Sequence, residues 1–109
     1  MITITKDNDN THIFSLQSDT GQSLLKSVPY TTKESMHKTL TDLKVLVTLS
    51  SAFERKTNYH GKFFFILKDK EGKIIGNSMF YTSEAGMENG IKNLKKIVDL
   101  LPDTGLVDL

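Results

Sequence analysis

Three histidines, His12, His37 and His60, and no cysteine are what this 109-residue chain offers to a metal or to a proton-transfer step. A structural zinc needs a convergent shell of about four ligands. The histidines fall on a predicted strand, helix and turn, without an HxxxH spacing and without a thiolate to complete a site, so none is expected to hold a metal. Asp7-Asn8-Asp9-Asn10 opens like a calcium loop, but His12 and Ser18 stand where that loop needs Gly and Glu. A plain turn is the expected reading, since Asn and Asp bond to nearby backbone. There is no GxSxG elbow, no P-loop and no glycine-rich dinucleotide turn. Ser27 and Ser78 have no neighbouring base, and the carboxylates are scattered over turns and polar helix faces. No catalytic residue and no cofactor are therefore expected. Lys92, Lys95 and Lys96 lie on one side of a predicted helix and are the candidate phosphate contacts. Asp69, Glu71 and Glu88 are interspersed among the lysines of this half, and the net charge is only +1. That balance favours a solvated surface over a nucleic-acid footprint.

The elements that would carry these residues occur twice. Shifted by 51 positions, Phe14 falls on Phe65, Leu16 on Leu67, Gly21 on Gly72, Leu24 on Ile75, Ser27 on Ser78 and Tyr30 on Tyr81. Met36, Leu40, Leu43 and Val47 fall in turn on Met87, Ile91, Leu94 and Val98. A periodic apolar set in fixed register means one supersecondary unit used twice. Alternation predicts strands at Met1–Thr5, Thr11–Gln17 and Ser23–Val28, then Phe53–Lys56, Lys62–Lys68 and Ile74–Met79. Pro29 ends the third of these. The spacing of Met36, Leu40, Leu43 and Val47 predicts a helix reaching about Leu49, opened by a capping box of Thr31 with Glu34. Thr82 or Ser83 caps the second helix, whose buried stripe runs from Met87 to Leu101. Pro102 and Gly105 stop that helix, and Leu106–Leu109 adds a short tail strand. Hairpin-length turns make the strands antiparallel.

The expected fold is α+β: a tandem β-β-β-α repeat, with one antiparallel sheet of about six strands, two helices on one face and a pseudo-twofold. Residues 1–109 form one domain, with repeat one at 1–50 and repeat two at 53–109. The Phe14/Leu16 face is apolar in both copies and is assigned to the core. Phe64, Ile66 and Ile13 then lie on the uncovered face and are the candidate partner-binding residues. Gly86 and Gly90, one turn apart in a helix, match Ser35 and Thr39. This small flank is expected to approach another backbone, with a ligand seat beside Asn89 as the functional alternative. Gly21, Gly72, Asn89 and Gly90 are read as structural repeat positions.

The run KFFFILKDKEGKIIGNSMFY, with Glu88-Asn89-Gly90-Ile91, Lys95-Lys96 and the ending from Pro102 to Leu109, resembles the YegP-like family of small bacterial and archaeal proteins. The resemblance covers nearly the whole chain. The first copy departs from it: Lys38-Thr39 stands in place of Asn89-Gly90, and Pro29 in place of Phe80. The resemblance implies the β-β-β-α repeat and the two-repeat sheet, and no activity. An apolar content of 38% against 25% charged residues is that of a globular chain. No apolar run approaches a membrane span, and the start MITITKDND is not a signal peptide, so a cytoplasmic protein is expected. The leading expectation is a non-enzymatic domain that binds a protein partner or forms a homodimer through the uncovered sheet face or an edge. The alternatives are a weak nucleic-acid binder using Phe64 with the lysines of the second half, and a small-ligand protein or enzyme with a site between the helices.

Overall fold

The computed structural model describes residues 2–6 and 9–101. Strands β1 (Ile2–Lys6), β2 (His12–Gln17) and β3 (Ser23–Ser27) lead into helix α1 (Lys33–Leu46). A 3-10 turn at Ser50–Ala52 connects to β4 (Phe53–Thr57), β5 (Phe63–Lys68), β6 (Ile74–Asn77) and helix α2 (Glu84–Leu100). The six strands form one sheet in the order β1-β2-β3-β6-β5-β4, antiparallel at every pairing. The fold is thus α+β, with both helices on one face. The expected tail strand at Leu106–Leu109, the stops at Pro102 and Gly105, and Met1, Asp7 and Asn8 lie outside the described residues.

Alternation decides which face is covered. Phe14 and Leu16 of β2 and Phe65 and Leu67 of β5 have no solvent exposure, while their neighbours Ile13, Ser15, Phe64 and Ile66 retain some. Met36, Leu40 and Leu43 of α1 meet that apolar face together with Met87, Ile91, Leu94 and Val98 of α2. Burying a side chain of this size stabilises by about 1.5–3 kcal/mol, so this single core dominates the fold.

Both hairpins are sealed by a serine in place of a ladder carbonyl. Phe14 N–H donates to Ser27 Oγ at 2.9 Å, and Phe65 N–H donates to Ser78 Oγ at 2.9 Å. Each hydroxyl then donates onward at 2.8 Å, to the carbonyls of Val28 and Met79. Both serines are buried, so their matched positions serve backbone satisfaction. Matched turns follow. Gly21 and Gly72 take φ of 85° and 84° where Ser18 and Asp69 close the β2–β3 and β5–β6 loops.

Three local expectations are corrected. The Thr31/Glu34 capping box does not form; Thr32 is the N-cap, and its side chain accepts from Ser35 N at 3.1 Å. Glu34 is then one residue too early to reach back to the cap. Helix α1 ends at Leu46 rather than Leu49, because the chain tightens into i→i+3 bonds, Thr48 N to Val45 O and Leu49 N to Leu46 O. The Thr48 hydroxyl takes the same Val45 carbonyl at 2.6 Å. In α2, Ser83 rather than Thr82 is the cap, accepting from Gly86 N at 2.9 Å. β6 also stops at Asn77, short of Met79, because Ser78 turns into its bond with β5.

Candidate functional site

Register places one row of side chains straight across the sheet: Thr3, Ser15, Lys26, Asn77, Ile66 and Glu54 are cross-strand partners in succession. None is buried, so this is the face the helices leave open. Ile13 lies one step along β2 and Phe64 one step along β5, both half-buried on the same face. The three candidate partner-binding residues therefore do share a surface. The structure adds a residue that alternation missed. After Ser78 the chain steps out of register, and Phe80 swings its ring edge-on to Phe64, with centroids 5.3 Å apart and planes at 80°. Phe80 is 57% exposed and Met79, beside Gln22, is 36% exposed. The available signal was Pro29, which stands at the position of Phe80 in the other half and marks the end of regular pairing there.

Charge on this face is uneven. Lys26 is exposed at the centre, while Lys56 and Lys68 flank Glu54 on the β4 side. Hydrogen bonds from Lys68 and then Lys56 hold the Glu54 carboxyl below the usual carboxylate range. The helix lysines belong elsewhere. Lys95 lies 5.5 Å over the ring of Phe53, which faces the core, and Lys92 and Lys96 are exposed on α2. The candidate phosphate contacts and Phe64 thus occupy opposite layers of the molecule, and one ligand on Phe64 does not reach them. Arg55 of β4 makes a two-pronged contact with Glu88 of α2, at 2.5 and 3.0 Å.

The small flank of α2 meets a ring rather than a backbone. A Cβ on Gly90 would lie on the Tyr81 hydroxyl and 2.6 Å from Cζ. Tyr81 is 9% exposed, and its hydroxyl is buried with no hydrogen-bond partner. Burial raises its ionisation above the ordinary tyrosine range. The matching Tyr30 is half-buried and lines one cleft with Thr39, which stands where Gly90 does and donates to the Ser35 carbonyl at 3.3 Å. Burial, the larger effect, raises the Tyr30 hydroxyl, and nearby Asp69 pushes the same way against the opposing effect of Thr39. Asn89 is exposed beside this packing.

A cleft of about 550 Å³ opens between α1 and the β5–β6 turn, lined among others by Tyr30, Thr39, Lys38, Lys73 and Ile74. This cleft lies to one side of α1 rather than between the two helices. The histidines are dispersed. His12 exchanges backbone bonds with Tyr30, His37 Nε2 is buried without a partner, and the His60 ring lies 4.3 Å from that of Tyr59. Among the described residues no three His, Cys, Asp or Glu side chains gather to hold a metal. No helix among them is long and apolar enough to cross a membrane.

The family model for a domain of unknown function, DUF1508, matches residues 59–99, from the β4–β5 turn through most of α2. The UPF0339 protein YegP of Escherichia coli K12 is 34% identical over 92 residues, covering 84% of each chain. The chain belongs to the UPF0339 (YegP) family. A UPF0339 protein of Pseudomonas aeruginosa is 32% identical over 103 residues, 94% of this chain and 91% of that one. The solution NMR structure of yegP from E. coli, described as a protein of unknown function, superposes with a TM-score of 0.83 at 32% identity, covering 89% of this chain and 84% of that one. A UPF0339 protein of Shewanella oneidensis shares the fold, with a TM-score of 0.84 at 24% identity over 95% of this chain and 85% of its own. The family is one of unknown function, and membership indicates no specific activity.

Proposed function

We propose that this protein is a non-enzymatic cytoplasmic binding module, built from two copies of one β-β-β-α unit, that self-associates through its open sheet face. One observation carries the reading: Phe80 stands 57% exposed against Phe64, with Ile66 on the same face, which no element among the described residues covers. Paired aromatics contribute beyond their area when desolvated, and such clusters anchor interfaces. A second copy turned about a twofold lays this apolar patch on itself, which is the self-complementarity a closed dimer needs. Light scattering on the wild type, Phe80→Ser and Phe64→Ser tests it. The wild type is expected at twice the mass of a single chain, and Phe80→Ser at one chain mass with an unchanged thermal midpoint. A wild type that runs as one chain at high micromolar concentration rejects self-association.

A second reading has its own observation. Lys56 is the cross-strand partner of Phe64, and Lys26 and Lys68 share the open face with Glu54 as the anion among them, an arrangement suited to stacking and phosphate contact with a single strand. Binding of a labelled oligonucleotide that falls steeply between low and high salt would favour it. Apolar self-association does not weaken with salt.

A further inference from the structure

We propose that the cleft between α1 and the β5–β6 turn binds a small zwitterion carrying an apolar group, the simplest member of that class being an apolar α-amino acid. Volume comes first. About 550 Å³ lies within the 300–1,000 Å³ usual for small-molecule sites. The cleft also has an apolar wall that water touches. Val45 and Ile74, two of the exposed aliphatic side chains, are 54% and 49% exposed, and both line it. They come from different layers, α1 and β6, so their exposure on one concavity is a property of the cleft.

Charge selects the ligand. Lys38, Lys70 and Lys73 bring three ammonium groups and Asp42, Asp69 and Glu71 three carboxylates. Asp69 Oδ1 already accepts from Glu71 N and Lys73 N at 2.9 Å each, which closes the turn. The other five are in no ion pair among the described residues. A balanced lining gives no net attraction to a polyanion, while both signs on each wall, Lys38 and Asp42 on α1 and Lys70, Lys73 and Glu71 on the turn, suit a molecule carrying one of each. Tyr30 and Thr39 add polar hydroxyls to the same lining.

The other half shows what a filled version looks like. Tyr81 settles onto Gly90 and is 9% exposed. In the first half Thr39 occupies that place, so the Tyr30 ring cannot sink to the same depth and the space beside it stays open.

The test is an NMR titration of the ¹⁵N-labelled protein with L-leucine, glycine, 4-methylpentanoate and 3-methylbutylamine. These keep or remove in turn the apolar group, the ammonium and the carboxylate. L-Leucine is expected to shift the amides of Tyr30, Thr39, Lys70 and Lys73 saturably, with a Kd at least about tenfold below those of the other three probes. Val45→Glu and Ile74→Glu alter side chains already in water, so they are expected to leave the thermal midpoint unchanged and to weaken leucine binding at least about tenfold. No saturable shift with leucine overturns the site. Equal affinity for a single-charge probe overturns the zwitterion class, and unchanged affinity in both variants overturns the location.

Discussion

Tyr30 and Tyr81 match in sequence and differ in chemistry, because one faces a threonine and the other a glycine. The Tyr81 hydroxyl is buried with no partner, and an unsatisfied buried hydroxyl costs free energy that its removal returns. Tyr81→Phe is therefore expected to keep or raise the thermal midpoint. Tyr30→Phe removes a hydroxyl that, unlike that of Tyr81, is not a buried atom without a partner, and is expected to lower stability by up to roughly 0.5–1.5 kcal/mol. Urea titrations of both variants check the contrast, and a Tyr81→Phe protein destabilised as much as Tyr30→Phe would remove it. Gly90→Leu improves helix propensity by up to about 1 kcal/mol but drives a side chain into the Tyr81 ring, where overpacking costs about 1–3 kcal/mol. The clash is expected to win, lowering the midpoint, because the ring is buried on its other side. Stability equal to wild type would show that the ring can move aside.

At the scale of elements, the Arg55–Glu88 pair couples edge strand β4 to helix α2. The hydrogen bond from Arg55 is the main cause that holds the Glu88 carboxyl below its ordinary range. A depressed carboxylate pKa stabilises the fold above the carboxyl's unfolded value, and that contribution is lost as pH falls through the depressed value. Both side chains are over 40% exposed (44% and 43%), so screening keeps the pair below about 1 kcal/mol. Glu88→Gln is expected to lower stability by that much or less at pH 7 and to match wild type at pH 2. Denaturant midpoints at the two pH values read this directly, and an equal deficit at both would assign the loss to packing. The charges on β4 also do a second job, since charged edge strands resist pairing with other chains.

At the scale of the molecule, the two halves meet along β3 and β6, whose register is Lys26 with Asn77 and Ser27 with Gly76. A Cβ on Gly76 would lie on the Lys26 carbonyl oxygen and 3.0 Å from Ser27 Cα, both backbone atoms. Gly76→Ala is therefore expected to pry the seam apart, at a cost of about 1–3 kcal/mol. Hydrogen exchange at Val28, whose N–H donates to the Ile75 carbonyl at 2.9 Å, should quicken more than exchange at the β1–β2 pairing. Uniform quickening would mean that Gly76 acts on the whole core instead. The same seam makes the cleft: Tyr30 and Thr39 reach the 69–75 loop only because β6 lies beside β3.

The sequence by itself determined the elements and their faces. Alternation in HIFSLQ and FFFILK and the stripe from Met36 to Leu43 are local patterns, and side-chain direction follows from periods of two and 3.6 residues wherever the chain goes. It also carried the matched positions of Phe14 and Phe65, and of Ser27 and Ser78, though not the reason for the serines. Only the tertiary structure decided that β3 meets β6, that Phe80 leaves register to join Phe64, and that Tyr81 fills against Gly90 while Tyr30 stays up on Thr39. Each of these depends on a contact between residues distant in the chain, where strand pairing and side-chain volume select among arrangements that local periodicity leaves equal.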